Sequence, residues 1–243
     1  MNREYLYFVG CTSAYRGQSI AQSTVKLLDK LGISFFILKD ENCCGSVLSR
    51  IGLVKDAKKL AHENYKLFKK KGVKKIITAC AGCYNAFKND YHRYLGRFDM
   101  KVNSVPELLN ELIKKGKVNL NDYLKKNVNI KVTYHDPCHL GRHCGIYEEP
   151  REVIDSIKGV HLVEMKTNRS EALCCGAGGG FRSGFKDESL KVGKKRLEEA
   201  KVTGANYLLS SCPFCIAQFK AVQDESSPKI MDLTEFLLHL MAA

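Results

Sequence analysis

Ten of the eleven cysteines in this 243-residue chain fall into two sets of five in the same order: Cys11, Cys43, Cys44, Cys80, Cys83, then Cys138, Cys174, Cys175, Cys212, Cys215. Each set reads as a single cysteine, a CCG triplet and a CxxC motif, and the offsets between sets are 127, 131, 131, 132 and 132 residues. A duplicated ligand pattern at near-constant offset requires a duplicated scaffold to present it. The repeat runs beyond the cysteines. IITACAGCYNAFK (76–88) answers LLSSCPFCIAQFK (208–220), and VNSVPELLNEL (102–112) answers KIMDLTEFLLHL (229–240).

Each half follows one course. Strands are expected at 5–9 and 130–134, each delivering the first cysteine at its carboxyl end. Helices follow at 18–31 and 148–157, strands at 34–38 and 160–164, and then the CCG turn. Lys-rich helices at 55–71 and 187–202 lead to strands at 75–79 and 206–210, and a helix opens at each CxxC. Alternating strands and helices imply an α/β fold with parallel sheets and right-handed crossovers, in which ligands collect at the carboxyl ends of strands. We therefore expect two lobes related by a pseudo-twofold axis, each a parallel sheet flanked by helices. Their bounds are 1–116 and 128–243, with the polar stretch 117–127 as linker.

Five thiols per half restrict the chemistry. Disulfides are disfavoured because five is odd and vicinal cysteines pair only with strain. A closed zinc site takes four ligands and would leave the same thiol idle twice. An iron–sulfur cluster spreads its ligands over several ångströms, so adjacent cysteines can serve different irons. Iron–sulfur chemistry fits the spacing better, and zinc in one site is the alternative. The glycines after the paired cysteines, Gly45, Gly176 and Gly178, would allow close backbone approach to such a cofactor.

Composition narrows the partners. Lys and Arg exceed Asp and Glu by 39 to 26, giving a formal charge of +13, but the cations are scattered along amphipathic helices. With no arginine-rich arm or aromatic-basic motif, nucleic acid is not expected as a partner. No apolar run reaches the roughly 18–20 residues of a spanning helix, and the first residues do not read as a signal peptide. A cytoplasmic location is the expectation, with membrane contact only through a partner. GAGGG lacks the Lys-Ser/Thr of a phosphate loop and the G-x-G-x-x-G spacing.

HDPCHLGR, CCGAGGGF and CPFC, with the paired five-cysteine pattern, resemble the CCG (cysteine-rich) family. Its best-known members are heterodisulfide reductase catalytic subunits of methanogens and their relatives, either as a B-type chain or as the C-terminal part of a D-type chain. The resemblance covers essentially the whole chain. It implies a noncubane [4Fe-4S] cluster in each complete unit, held by the ten cysteines, and reduction of a small-molecule disulfide of the coenzyme M–coenzyme B type. It also implies a second possibility, an electron-relay subunit of a flavin-dependent lactate, glycolate or glycerol-3-phosphate dehydrogenase. No C-x-x-C-x-x-C-x-x-x-C-P run is present. Electrons are therefore expected from a separate ferredoxin-like iron–sulfur subunit, itself supplied by a flavoprotein subunit.

Disulfide cleavage also consumes protons. His135, His139 and His143 lie within a few residues of Cys138, each either a proton donor or a turn-capping group. Arg142 and Arg182 flank the second unit and would attract an anionic ligand if not merely on the surface. The expected entry is a cleft between the lobes beside HDPCHLGRHCG and CCGAGGGF. Cys144, without a counterpart in the first half, reads as a bystander thiol.

Overall fold

The computed structural model describes residues 4–124 and 128–242. The first half contains β1 (Tyr5–Tyr7), α1 (Cys11–Tyr15), α2 (Gln18–Lys30), β2 (Phe35–Phe36), α3 (Ser46–Arg50), α4 (Val54–Lys70), β3 (Lys75–Thr78), α5 (Ala81–Asn85), α6 (Tyr91–Leu95), β4 (Lys101–Ser104) and α7 (Val105–Lys114). A π-helical stretch, Ala86–Asp90, joins α5 to α6. The second half contains β5 (Ile130–Tyr134), α8 (Glu148–Asp155), β6 (Val160–Leu162), α9 (Phe181–Gly184), α10 (Lys186–Val202), β7 (Tyr207–Ser210), α11 (Pro213–Val222), β8 (Lys229–Asp232) and α12 (Leu233–Ala242).

Two four-stranded parallel sheets result, ordered β2-β1-β3-β4 and β6-β5-β7-β8. The repeat holds to single hydrogen bonds: Phe8 N–H donates to Ile77 O at 2.8 Å, and His135 N–H donates to Leu209 O at 2.8 Å. The expected α/β class, the two-lobed duplication and the parallel pairing are all present. Beyond the expected elements, each half ends in a further strand and helix, β4–α7 and β8–α12. These final helices are exchanged. α12 packs on α2 of the first half, and α7 packs on α8 of the second.

Polar contacts accompany the exchange. Thr24 Oγ1 lies 3.3 Å from Thr234 Oγ1, and Lys114 pairs with Glu152 at 2.7 Å. The stretch between halves is not a free spacer. Val118 and Leu120 are buried, and Asn121 bonds the backbone at Ser156 and Lys158 of the second half. Residues 125–127 of the expected linker lie outside the described residues.

Because each lobe covers its first long helix with the other's last one, the halves should unfold together. Phe236 of α12 is fully buried and stacks 5.2 Å from Tyr207. Phe236→Ala should cost about 3–5 kcal/mol, the usual range for a buried aromatic. Chemical denaturation should still show one transition, and two separated transitions would refute the interlock.

The strand ends also meet in a small polar cavity lined by Thr78 and Ser104 from one half and Ser211 and Asp232 from the other. Burial pushes the Asp232 carboxyl from 3.8 up to about 7, although Thr234 N–H and O–H both donate to it. The folded form thus holds a proton that the unfolded chain releases between those values, so this group's contribution to stability is lost as pH rises from about 4 to about 7. Relative to the parent, Asp232→Asn should gain stability across that interval, by at most about 1.4 kcal/mol per pH unit. Above it the difference should level off. Paired denaturation curves from pH 4 to 8 check this, and a pH-independent difference would contradict it.

Candidate metal centre

Strand order explains how the five thiols of a lobe meet. β2, β1 and β3 are neighbours, so the loops leaving their carboxyl ends start roughly 4.8 Å apart. Cys11 opens α1 soon after β1, Cys43 and Cys44 follow β2, and Cys80 precedes α5, whose first turn carries Cys83. The second half repeats this around β6, β5 and β7, with Cys212 preceding α11.

Cys11 Sγ lies 3.6 Å from Cys43 Sγ, and neighbouring thiols continue through Cys44 and Cys83 to Cys80. In the second lobe the row runs Cys138, Cys174, Cys175, Cys215, Cys212. Cys80 and Cys212 are neighbours across the lobes, which joins the two rows into one. All ten cysteines except Cys174 line a single cavity of about 630 Å³, counted with its open mouth.

The CCG glycines have a specific role. Gly45 and Gly176 take φ of +80° and +83°, the left-handed region that favours glycine. There each backbone N–H turns back to the first sulfur of its pair, Gly45 to Cys43 at 3.5 Å and Gly176 to Cys174 at 3.3 Å. Paired cysteines therefore face one site because the chain turns at them instead of extending. Gly178 lines the cavity and has open space where a Cβ would stand. Gly180 serves lobe packing, since a Cβ there would fall 2.6 Å from Ile51 Cγ2 of the first half.

The histidines separate. His139 lines the cavity and reaches the first lobe: a Cβ on Gly82 would stand 3.6 Å from its Nδ1 and 3.7 Å from Cys80 Sγ. Burial lowers its pKa, which favours the neutral imidazole. His143 stacks edge-on against it at 5.1 Å and is exposed. His135 is fully buried, with a ligand atom within 4.8 Å of both Cys175 and Cys215 sulfurs, and does not line the cavity.

Arg142 is exposed, and Arg182 does not line the cysteine cavity. Arg182 instead borders a neighbouring groove of about 670 Å³ with Arg16, Lys186 and Lys220, where Cys11 is shared by both spaces. Cys144 stands off the row beside Asn85 and Asn89, its thiol pushed by burial up to about 11.

Two residues escape sequence reasoning. Arg50 lines the cavity and forms a bidentate pair with Asp90 at 3.0–3.2 Å. Glu41 accepts the N–H groups of Val9 and Gly10 at 3.0 and 2.8 Å, pinning the loop before Cys11, and burial pushes its carboxyl up to about 7.

Ten adjoining thiols cannot ionise together without cations to offset their charge. One tetrahedral ion would satisfy four of each five, whereas a multi-iron sulfur core can engage a whole row. His135 accepts from Arg196 Nε at Nδ1, so its buried Nε2, without a partner among the described residues, carries the hydrogen and is left free to donate. The donor set therefore fits an iron–sulfur centre in each lobe.

Comparison with known proteins agrees in pattern. A family model described as a cysteine-rich (CCG) domain matches residues 5–88 and 132–220, segments that hold all ten paired cysteines. The chain is 42% identical over 244 residues to the D chain of the dihydromethanophenazine:CoB–CoM heterodisulfide reductase of Methanosarcina mazei, covering 98% of this chain and 58% of that one. It is 37% identical to the probable iron-sulfur-binding oxidoreductase FadF of Bacillus subtilis, over 96% of this chain and 33% of that one. It is 33% identical to the B chain of the fumarate reductase (CoM/CoB) of Methanothermobacter marburgensis, over 95% of this chain and 45% of that one. The chain thus spans about half the length, or less, of these curated relatives. Among solved structures, a hypothetical protein from Helicobacter pylori shares the fold with TM-score 0.73 at 15% identity, over 100% of this chain and 50% of that one. With both five-cysteine units matched by the family model, the chain belongs to the cysteine-rich CCG domain family.

Proposed function

We propose that this chain is the iron–sulfur part of an oxidoreductase that reduces a disulfide of the heterodisulfide type. Electrons would arrive from a ferredoxin-like module outside these 243 residues, with a flavoprotein behind it. The observation that carries the reading is access: Cys11 borders both the cysteine site and a neighbouring cationic groove, so a centre held there can be approached from outside. The name of the Methanosarcina mazei relative supports the same substrate class.

Reduction of RSSR′ takes two electrons and two protons and yields two thiols. Noncubane [4Fe-4S] clusters, when bound by the ten cysteines, supply one-electron transfer at potentials of roughly −700 to +450 mV, which bracket thiol couples. The chain's own residues do the rest. Gly178 would leave room for the substrate, and His139 stands at the wall, where its neutral imidazole would relay a proton to a departing thiolate. Arg16, Arg182, Lys186 and Lys220 border the adjoining groove and would attract anionic ends of the substrate.

Anaerobically prepared protein should contain about eight irons per chain, the content of two four-iron clusters. Cys175→Ser should lower iron by about half if the second lobe alone is affected. Full iron in that variant would show that Cys175 is not a ligand, and one stoichiometric zinc would put zinc in one lobe.

Gly178→Leu tests the cavity, because the site is sterically open and its backbone is not left-handed. Iron content should be unchanged, while disulfide turnover with an artificial one-electron donor should fall at least about tenfold, a barrier increase of about 1.4 kcal/mol. Parent protein that shows no disulfide turnover and no spectral change on adding disulfide would leave the relay function.

A further inference from the structure

The two lobes repeat each other closely enough that a departure stands out. Phe8 and His135 occupy the same place, each donating its N–H to the middle strand of its sheet. Their rings pack alike as well. Phe8 meets Phe87 edge-on at 4.8 Å and 89°, and His135 meets Phe219 edge-on at 4.9 Å and 86°. Behind them, α4 and α10 are both 17 residues long, and the eleventh residue is Asn64 in one and Arg196 in the other.

Those substitutions are coupled. Asn64 donates to Cys43 O and Tyr91 Oη, and has no polar ring to serve. Arg196, fully buried, donates from Nε to His135 Nδ1 at 3.1 Å, while its Nη1 is held by Thr167 and Glu199. An imidazole that accepts at Nδ1 carries its proton on Nε2. That Nε2 is buried and has no partner among the described residues, and the His135 ring has a nitrogen within 4.8 Å of the Cys175 and Cys215 sulfurs. A buried N–H is costly to leave unpaired, and sulfur of a centre bound by Cys175 and Cys215 would supply its acceptor.

We infer that His135 donates its Nε2 hydrogen to sulfur of the second-lobe centre and, with only Phe8 at the matching place, makes that centre the more easily reduced of the two. Hydrogen bonds to cluster sulfur stabilise the reduced, more negative state and raise its potential. Arg196 fixes the tautomer, and both act as positioning residues, because neither lines the cavity. Electrons entering the pair would then settle in the second lobe. The inference rests on iron–sulfur centres in both lobes.

Potentiometric titration of the anaerobic protein, followed by optical and electron paramagnetic resonance spectra, tests it. The wave lost in Cys175→Ser identifies the second-lobe centre, which should be the higher of two in the parent. His135→Phe recreates the packing of the first lobe. At fixed potential it should lower the reduced-to-oxidised ratio of the second-lobe centre about tenfold, equivalent to about 59 mV for one electron. Iron content and the first-lobe wave should stay unchanged. His135→Gln, which keeps an amide donor, should recover most of the shift. Arg196→Met, which frees the tautomer and leaves the ring, should move the same wave downward by less.

An unmoved second wave in both His135→Phe and Arg196→Met, with iron intact, overturns the inference and leaves the iron–sulfur reading standing. Loss of half the iron from both His135 variants would make His135 a ligand and also overturn it. Zinc in the second lobe of the parent would defeat the underlying reading itself, and metal analysis separates that result from the others.

Discussion

Thiols brought this close cannot ionise together without a positive charge to share, and that constraint organises the molecule. Five per lobe come from separate loops, so the backbone has to deliver distant segments to one point with ångström accuracy. A parallel sheet does this without special devices, because every strand ends on the same side and neighbours are spaced by the hydrogen-bond ladder. The order β2-β1-β3 places the three delivering loops side by side, and β4 lies outside them. The left-handed glycines at 45 and 176 then turn the backbone N–H back to the first sulfur of each pair.

Duplication brings the two delivering faces together and also lets them diverge. Exchange of α7 and α12 binds the lobes, so neither can drift without uncovering an apolar helix face. Within that shared frame the loops differ. After CCG the first lobe continues as Ser46–Arg50, a short helix that contributes Arg50 to the cavity. The second continues as a glycine run in which Gly180 passes against Ile51 of the first half too closely for a side chain. Contact between lobes thus accounts for one of the glycines that suggest a phosphate loop in the sequence, while Gly178 stands in open space.

Much of this was legible because a ligand pattern repeated at fixed offset carries topology with it. The carboxyl-end placement of the cysteines follows from alternating strands and helices alone. The terminal strand and helix of each half were harder to read, since VNSVPELLNEL and KIMDLTEFLLHL are short apolar runs of ambiguous period. A start signal was nevertheless present: Ser104 and Glu107 form a capping box, and Asp232 and Glu235 repeat its spacing. Arg50 left no such trace, because its position at the cavity depends on how the lobes dock. Glu41 precedes the CCG triplet by two residues, but only burial shows that it ties the loop before Cys11. The stretch 117–124 looked like a spacer by polarity, yet Val118 and Leu120 are anchored.

Charge connects the cavity with the rest of the surface. The excess of 39 basic over 26 acidic residues reads in sequence as solvated helix faces. Four of the cations instead gather at the groove that shares Cys11 with the cysteine cavity. A thiolate-bound centre carries net negative charge and would by itself repel an anionic substrate. Cations at the groove offset that field where an incoming ligand first meets it, and they act without touching the sulfur row. Deeper in, the compensation is different in each lobe: Arg50 is paired with Asp90 at the cavity wall, and Arg196 is spent on Glu199 and His135 behind the second set. The outer charges would thus act on what enters, and Arg196, through His135, would act on where an electron rests once it has arrived.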